Sequence, residues 1–445
     1  MRGIPIMTDS PSLIDLSNPI SRRELLAGSA GIATLLGANA AFSQADIPSS
    51  SRELWPWVRS QPVMDAQLSY LDVATAGPTF RAALAAEYRA REAQSLSAYA
   101  SGRGGYWANE STRLATRCAE FFHCTADEVQ FTRGAGEALG IVANGLDLAN
   151  GDEVITTNRE HPAALAPWLT LARRRGVVVK QIELPAPLAG PEQALGLFAG
   201  AVTERTRVFA FSHVQYADGA VMPVQDLAQF ARQRGIFTVV DGAQAPGMLD
   251  LNVGELGCDF YAASFHKWMN APYGTGALIV RREALDRLWP IAPRGLDGSP
   301  PAPTDALGFA DVPSALHKLG NNVPAMWPGL RGLEAAFELH QQIGRAKLEA
   351  RIRELAIYAR LRFQKIPKLE LLTPARPGLW AGILAFRIGG RAAVDVATVL
   401  ANARIYVAAL RWPGIEAGAV RASFHFTNSH DDVDKLAQAL EHIAA

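Results

Sequence analysis

Ser264, His266 and Lys267 close an apolar run in the stretch YAASFHKWMNAPYGTGALIV, residues 261–280, and a second apolar run follows after glycines. An amine at the edge of a low-dielectric segment has a lowered pKa and can act as a nucleophile. Asp241 ends the apolar run Phe237–Val240 in VVDGAQAPG, with Gln244 three residues further on. A carboxylate at the end of a buried strand must find a cation or a strong donor. His161 stands just past another apolar run, in TTNREHPAALAPW, where its ring could lie flat against a planar ligand. Gly134, Ala135 and Gly136, in RGAGEALG, fall between a β-rich run and a helical one. Such a turn aims free N–H groups at an anion, and Ser264 and His266 are further candidate anion ligands. A nucleophilic lysine, a buried carboxylate, a stacking ring and an anion nest are the parts needed for one cofactor, pyridoxal 5'-phosphate (PLP). Its aldehyde takes the lysine as a Schiff base, its pyridine nitrogen takes the carboxylate, and its phosphate takes the helix N-terminus.

These residues need a scaffold that brings distant turns to one crevice. Seven short β-rich runs, EVQFTRG, DEVITTN, VVVKQIEL, TRVFAFSHV, IFTVVDG, CDFYAASFH and GALIVRR, alternate with stretches of helical spacing such as PVQDLAQFARQRG. Alternation of this kind predicts an α/β fold with a mostly parallel sheet covered by helices on both faces. Continuous apolar runs suit strands buried on both sides. Ligands in such sheets collect at the carboxyl ends of the strands, where the polar residues above are placed. The expected division is an N-terminal segment over 46–70, a large domain over 71–300, a Pro-rich loop over 301–327 and a smaller C-terminal α/β domain over 328–445. A long helical stretch from Pro328 to Gln364 links the lobes, and LWAGILAFRI is a strand of the small one.

The run VVDGAQAPGMLDLNVGELGCDFYAASFHKWMNAPYGTGALIV resembles the core of the class V aminotransferase family, fold type I PLP enzymes that include cysteine desulfurases, isopenicillin N epimerase and kynureninase. The resemblance starts near YLDVATAGP and passes through TRGAGEALGIVANGL, REHPA and FSHVQYADGAVMPV to VRASFHFTNSHDDVDKLAQAL, in the family's order. It implies roles residue by residue. Lys267 would hold PLP and shuttle protons at the substrate α-carbon, Asp241 would meet the pyridine nitrogen, Gln244 the phenolic oxygen, and His161 would stack on the ring. The phosphate would be held by Gly134, Ala135, Gly136, Ser264 and His266, and by Thr275 of a partner subunit, which implies a homodimer with shared sites. Arg421 matches the position that binds a substrate α-carboxylate, where a planar fork gives bidentate orientation. Tyr216 would line the substrate pocket or simply pack. Desulfurases carry a catalytic cysteine in the segment that here reads VAALRWPGIEAGAVR, and this chain has no cysteine after Cys258.

The expected reaction is transamination or epimerisation at an α-carbon, with a PLP-dependent lyase or decarboxylase as the alternative within the class. A metal-dependent hydrolase built on His161, His213 and His266 is the reading from another class, and a binding protein without activity is a third. Across 445 residues, 49% hydrophobic and 19% charged with zero formal net charge, nothing suggests a nucleic-acid partner. Three cysteines without CxxC spacing argue against a zinc knuckle or a disulfide scaffold.

Residues 1–45 look like a twin-arginine export signal. Arg22 and Arg23 precede a mildly apolar run broken by Gly28, Ser29, Gly31 and Gly37, which ends in small residues at Ala38, Ala40 and Ala45. The run falls short of the roughly 20 strongly apolar residues of a spanning helix, so no stable membrane anchor is expected. The twin-arginine translocase carries folded cargo, which fits a periplasmic enzyme whose cofactor is inserted before export. In this the chain is similar to periplasmic PLP enzymes that tailor peptide siderophores such as pyoverdine. A reporter fused to residues 1–45 is expected in the periplasm, and replacing Arg22 and Arg23 by Lys should hold it in the cytoplasm. A reporter that stays cytoplasmic with the native pair removes the basis for export.

Overall fold

The computed structural model describes residues 47–96, 106–291, 314–320 and 323–445. The signal segment and most of the Pro-rich loop lie outside these residues.

Each of the seven β-rich runs forms a strand of one sheet. They are β2 (Val129–Thr132), β3 (Glu153–Thr157), β4 (Val178–Ile182), β5 (Thr206–Ser212), β6 (Phe237–Asp241), β7 (Phe260–Ser264) and β8 (Gly276–Val280), after a short β1 (Ser69–Tyr70) that lies elsewhere. The order across the sheet is β2-β8-β7-β6-β5-β3-β4. Strands β7, β6, β5, β3 and β4 run parallel, whereas β8 is antiparallel to both of its neighbours. The carboxyl end of β2 therefore points the same way as that of β7, which puts the 134–136 turn beside Ser264.

Side-chain alternation explains why the runs are apolar at every position. Phe209, Phe211, Tyr261, Ala263, Ala277 and Ile279 enter one core. Their neighbours Val208, Ala210, Phe260, Ala262, Leu278 and Val280 enter another on the opposite face. That second core is closed by the helices Ala135–Gly145 and Pro162–Arg175, which begin at the two turns carrying Gly136 and His161.

A second sheet, in the order β12-β13-β10-β9, is antiparallel and built from β9 (Leu369–Leu371), β10 (Ile383–Ile388), β12 (Ala408–Trp412) and β13 (Ile415–Ser423). Its core includes Leu384, Phe386, Val420 and Leu436. The strand expected in LWAGILAFRI is β10. Strand β11 (Ile405–Tyr406) pairs in parallel with β1, so the chain entering the large sheet is first tied to the C-terminal part. The single helix expected over 328–364 is two, Val323–Ile343 and Arg345–Phe363. Gly344 separates them at φ 97°, a left-handed conformation that ends a helix and that a residue with a Cβ seldom adopts. Among the described residues no helix is long and apolar enough to cross a membrane.

The segment after β1 is fixed at both ends of its path. Ser423 N–H donates to Leu71 O at 2.7 Å and Gly77 N–H donates to His266 O at 2.8 Å. Gly77 sits so close to the lysine turn that a Cβ would stand 2.0 Å from the Lys267 carbonyl oxygen. The two nearest atoms are backbone and cannot swing aside as a side chain could. Gly77→Ala is expected to cost about 2 kcal/mol or more, read as a lowered thermal midpoint. A midpoint equal to that of the native chain would contradict the close approach.

Candidate active site

A cavity of about 340 Å³ opens at the carboxyl ends of β2, β3, β5, β6 and β7. Its wall includes Gly134, Ala135, Gly136, His161, Tyr216, Asp241, Gln244, Ser264, His266, Lys267 and Arg421, eleven of the twelve residues singled out from the sequence. The strand register accounts for the gathering. Ser212, at the end of β5, pairs with Asp241, at the end of β6. Ser264 and Thr132, at the ends of β7 and β2, both face Gly276 of β8. A Cβ on Gly276 would lie 2.5 Å from Gly134 Cα, so only glycine lets the 134–136 turn sit against the lysine strand.

Lys267 is the centre of the site. Its Nζ has no hydrogen bond or ion pair among the described residues, and its pKa is depressed to about 8. Burial is the main cause, Arg421 pushes the same way, and the carboxylates of Asp241 and Asp72 oppose. Asp241 is 8% exposed, with Oδ1 accepting from Ala243 N–H at 2.9 Å. Oδ2 meets no donor of the described protein, and burial raises the acid's pKa against the pull of that N–H and of Lys267. A buried carboxyl with a free oxygen turned into the cavity suits a protonated ring nitrogen.

The remaining walls divide into a ring side and an anion side. His161 caps its helix, with Nδ1 accepting from Ala163 N–H at 3.1 Å, which leaves the proton of the neutral imidazole on Nε2. Burial, and then Lys267, lower its pKa, so the ring is uncharged. It meets Tyr216 edge to face at 5.0 Å. On the anion side Ser264 Oγ accepts from Ala135 N–H at 2.9 Å, and the buried Nδ1 of His266 has no partner. Gly136 stands in the first turn of a helix, where N–H groups lack intrahelical acceptors. The free N–H groups after Ala135 in that first turn, beside the Ser264 hydroxyl and the His266 ring, fit a phosphate group.

Three residues have their polar groups engaged within the chain. Gln244 lines the cavity, but its amide is held from behind, with Nε2 donating to Ala74 O at 2.9 Å and Oε1 accepting from Trp268 Nε1 at 2.8 Å. Thr275 does not line the cavity. It is 1% exposed within its own chain and its hydroxyl donates to Pro272 O at 2.6 Å. Tyr273, in the same turn, is 66% exposed and stacks on His266. Arg421 reaches the cavity with most of its donors already engaged, by Tyr216 O, Asp72 and Thr75.

Some contributors were not foreseen. Thr75 and Leu410 line the cavity and Asp72 holds Arg421. Asp72 and Thr75 belong to YLDVATAGP, where a carboxylate and a hydroxyl in a short polar stretch were the available signal. Glu160, next to His161, accepts from Thr157, Ser212 and Gln215 and ties the ends of β3 and β5, with its pKa raised to about 7 by burial. His213 points away from a metal site, its Nδ1 meeting the Tyr261 hydroxyl at 3.0 Å. Among the described residues no three His, Cys, Asp or Glu side chains are gathered as metal ligands.

A parallel sheet with an unpaired lysine and a buried aspartate at its carboxyl edge defines the class, a fold type I PLP-dependent enzyme. The family model for aminotransferase class-V matches residues 69–436, and the chain belongs to that family, which is PLP-dependent. It is 31% identical over 414 residues to isopenicillin N epimerase of Amycolatopsis lactamdurans, covering 88% of this chain and 98% of that protein. It is 30% identical over 420 residues to a cysteine desulfurase of Yersinia pestis, covering 90% and 97%. Among solved structures, a cysteine desulfurase of Escherichia coli matches with a TM-score of 0.71 and 26% identity, over 91% of this chain and 98% of that one.

The lysine chemistry is open to direct measurement. In coenzyme-free protein, acylation of Lys267 by an amine-selective reagent is expected to rise with pH through a midpoint near 8. Below that pH the amine is protonated and inert. Asp241→Asn removes a carboxylate that favours the ammonium form, and should move the midpoint lower. A midpoint at the ordinary lysine value, about 10, would show that Lys267 is solvated.

Proposed function

We propose that this protein is a PLP-dependent enzyme of the transamination or epimerisation type, acting at the α-carbon of an amino group carried by a peptide. The observation that carries the reading is the unpaired Lys267 amine facing the same cavity as the free Asp241 oxygen. When bound, the coenzyme supplies an electron sink for a bond to the α-carbon. Lys267, with a pKa near 8, can accept and return a proton at that carbon around neutral pH. Asp241 would favour a positive charge on the ring nitrogen, and the neutral His161 would stack on the ring without adding charge. Ser264, His266 and the 134–136 turn would hold the phosphate.

Desulfurase chemistry finds no nucleophile here. Cys118, Cys124 and Cys258 all lie outside the cavity lining, and burial pushes the thiols of Cys124 and Cys258 up to about 12. The segment that carries the catalytic cysteine in desulfurases is the hairpin of β12 and β13, and it offers Leu410 to the cavity. The peptide substrate and the periplasmic location rest on the signal-like N-terminus together with the family. A homodimer, its shared site including the exposed Tyr273, belongs to the same reading.

Purified protein is expected to be yellow, and borohydride should fix the coenzyme on Lys267, as read by peptide mass. Incubation in deuterated water with amino acids and with peptides bearing a free amino group should give α-deuterium uptake or an oxo product. Colourless protein that takes up no PLP overturns the reading, and release of carbon dioxide without α-hydrogen exchange replaces it by decarboxylation.

A further inference from the structure

Two buried carboxyls bracket β3, and they are partnered differently. Glu153, at its start, accepts from the hydroxyls of Thr203 at 2.5 Å and Thr206 at 3.2 Å and pairs with Lys180 Nζ at 2.8 Å. Burial raises its pKa, but Lys180 and the hydroxyls outweigh that and hold it at about 2. Glu160, in the turn after β3, accepts from the hydroxyls of Thr157, at 2.6 Å, and Ser212, and from Gln215 Nε2 at 3.1 Å. No cation pairs with it among the described residues, and burial lifts its pKa to about 7. Glu153 therefore stabilises the fold at neutral pH. Glu160 does the opposite, because stability is lost as pH climbs from the ordinary glutamate value towards 7.

The place of Glu160 gives that cost a reason. It does not line the main cavity, so it touches no ligand there. It stands one position before His161, and its partner Gln215 one position before Tyr216. The Glu160–Gln215 bond thus joins, from outside the cavity, the two segments whose rings meet edge to face in its wall. The same segments are joined again by the buried ion pair of Arg159 and Asp218. Thr157 Oγ1 accepts from Arg159 N–H at 3.2 Å, which leaves its own proton for Glu160.

We propose that Glu160 is a positioning residue whose carboxyl sets the His161–Tyr216 pair against the coenzyme ring by tying the turn after β3 to the segment after β5. The His161 ring is fixed to its own helix by the bond from Ala163 N–H to Nδ1. That bond orients the ring but does not set how far the start of the helix stands from β5. Glu160 sets that distance, through Ser212 at the end of β5 and Gln215 beyond it. The inference rests on the reading of the cavity as a PLP site.

Glu160→Ala removes all three bonds. It is expected to weaken PLP binding about tenfold, the scale of one or two hydrogen bonds. It should also lower the induced circular dichroism of the near-visible band per bound coenzyme, which reads how firmly the ring is oriented. Glu160→Gln keeps the size of the side chain and an acceptor for Thr157, and should restore most of both. Glu153→Ala is the control on the same strand: the thermal midpoint of the coenzyme-free protein should fall, with PLP affinity and induced signal unchanged. If Glu160→Ala does not fold, Gln215→Met takes its place, since it breaks the same link outside the cavity. Native affinity and induced signal in the variant overturn the inference, and so does an equal loss of both in Glu153→Ala. Either result leaves Glu160 as scaffold. Native protein without a near-visible band removes the proposed function instead.

Discussion

The structure turns on the desolvation of one amine. Lys267 is withdrawn from water at the end of a strand, without a protein partner, and its ammonium form is correspondingly disfavoured. Nothing in a folded core tolerates such a group without compensation, and here the compensation is arranged at a distance. Asp241 and Asp72 supply negative charge on two sides of the cavity, and Arg421 offsets part of it. The balance keeps Lys267 near the point where it can take or release a proton at neutral pH. A direct ion pair to either carboxylate would have raised its pKa and consumed the reactive amine.

Holding these groups apart requires rigidity from several directions. The parallel strands set the spacing of Asp241 and Ser264, and the antiparallel β8 brings the 134–136 turn against them. Trp268 extends the frame into the second sheet. Its indole N–H bonds Gln244, its carbonyl accepts from His425 Nε2 at 3.0 Å, and its ring lies where a Cβ on Gly382 would be 2.6 Å away. The histidine is fully buried and neutral, its pKa lowered to about 3. The residue next to the reactive lysine is thereby packed against β10 and the end of β13, and movement of the second sheet would be felt at the lysine turn.

Much of this was legible in the chain. The seven strands followed from continuous β-rich apolar runs, because a strand buried on both faces leaves no polar alternation to read. The candidate site was legible where a polar residue interrupted such a run, as at Asp241, Ser264 and Lys267. It was least legible in the segment before the large sheet. Asp72 and Thr75 act on Arg421 across 349 and 346 positions of sequence, and no local pattern announces a contact of that separation. The break at Gly344 was missed for a different reason, since a glycine inside a helical pattern is compatible with continuation until its φ is known.

What the sequence determined by itself was the inventory and its order: a lysine, an aspartate, a histidine and an anion turn, each at the end of a run able to form a buried strand. That much follows from local physics, because periodicity and burial act on neighbouring residues. Only the tertiary structure decided which hydrogens remain available. Which donors of Arg421 are engaged, and whether the Gln244 amide is held from behind, depend on groups 349 and 170 positions away in sequence. Hydrogen-bond capacity is exhausted by whichever partner folding brings within 3 Å or so, and that competition is settled in space rather than along the chain.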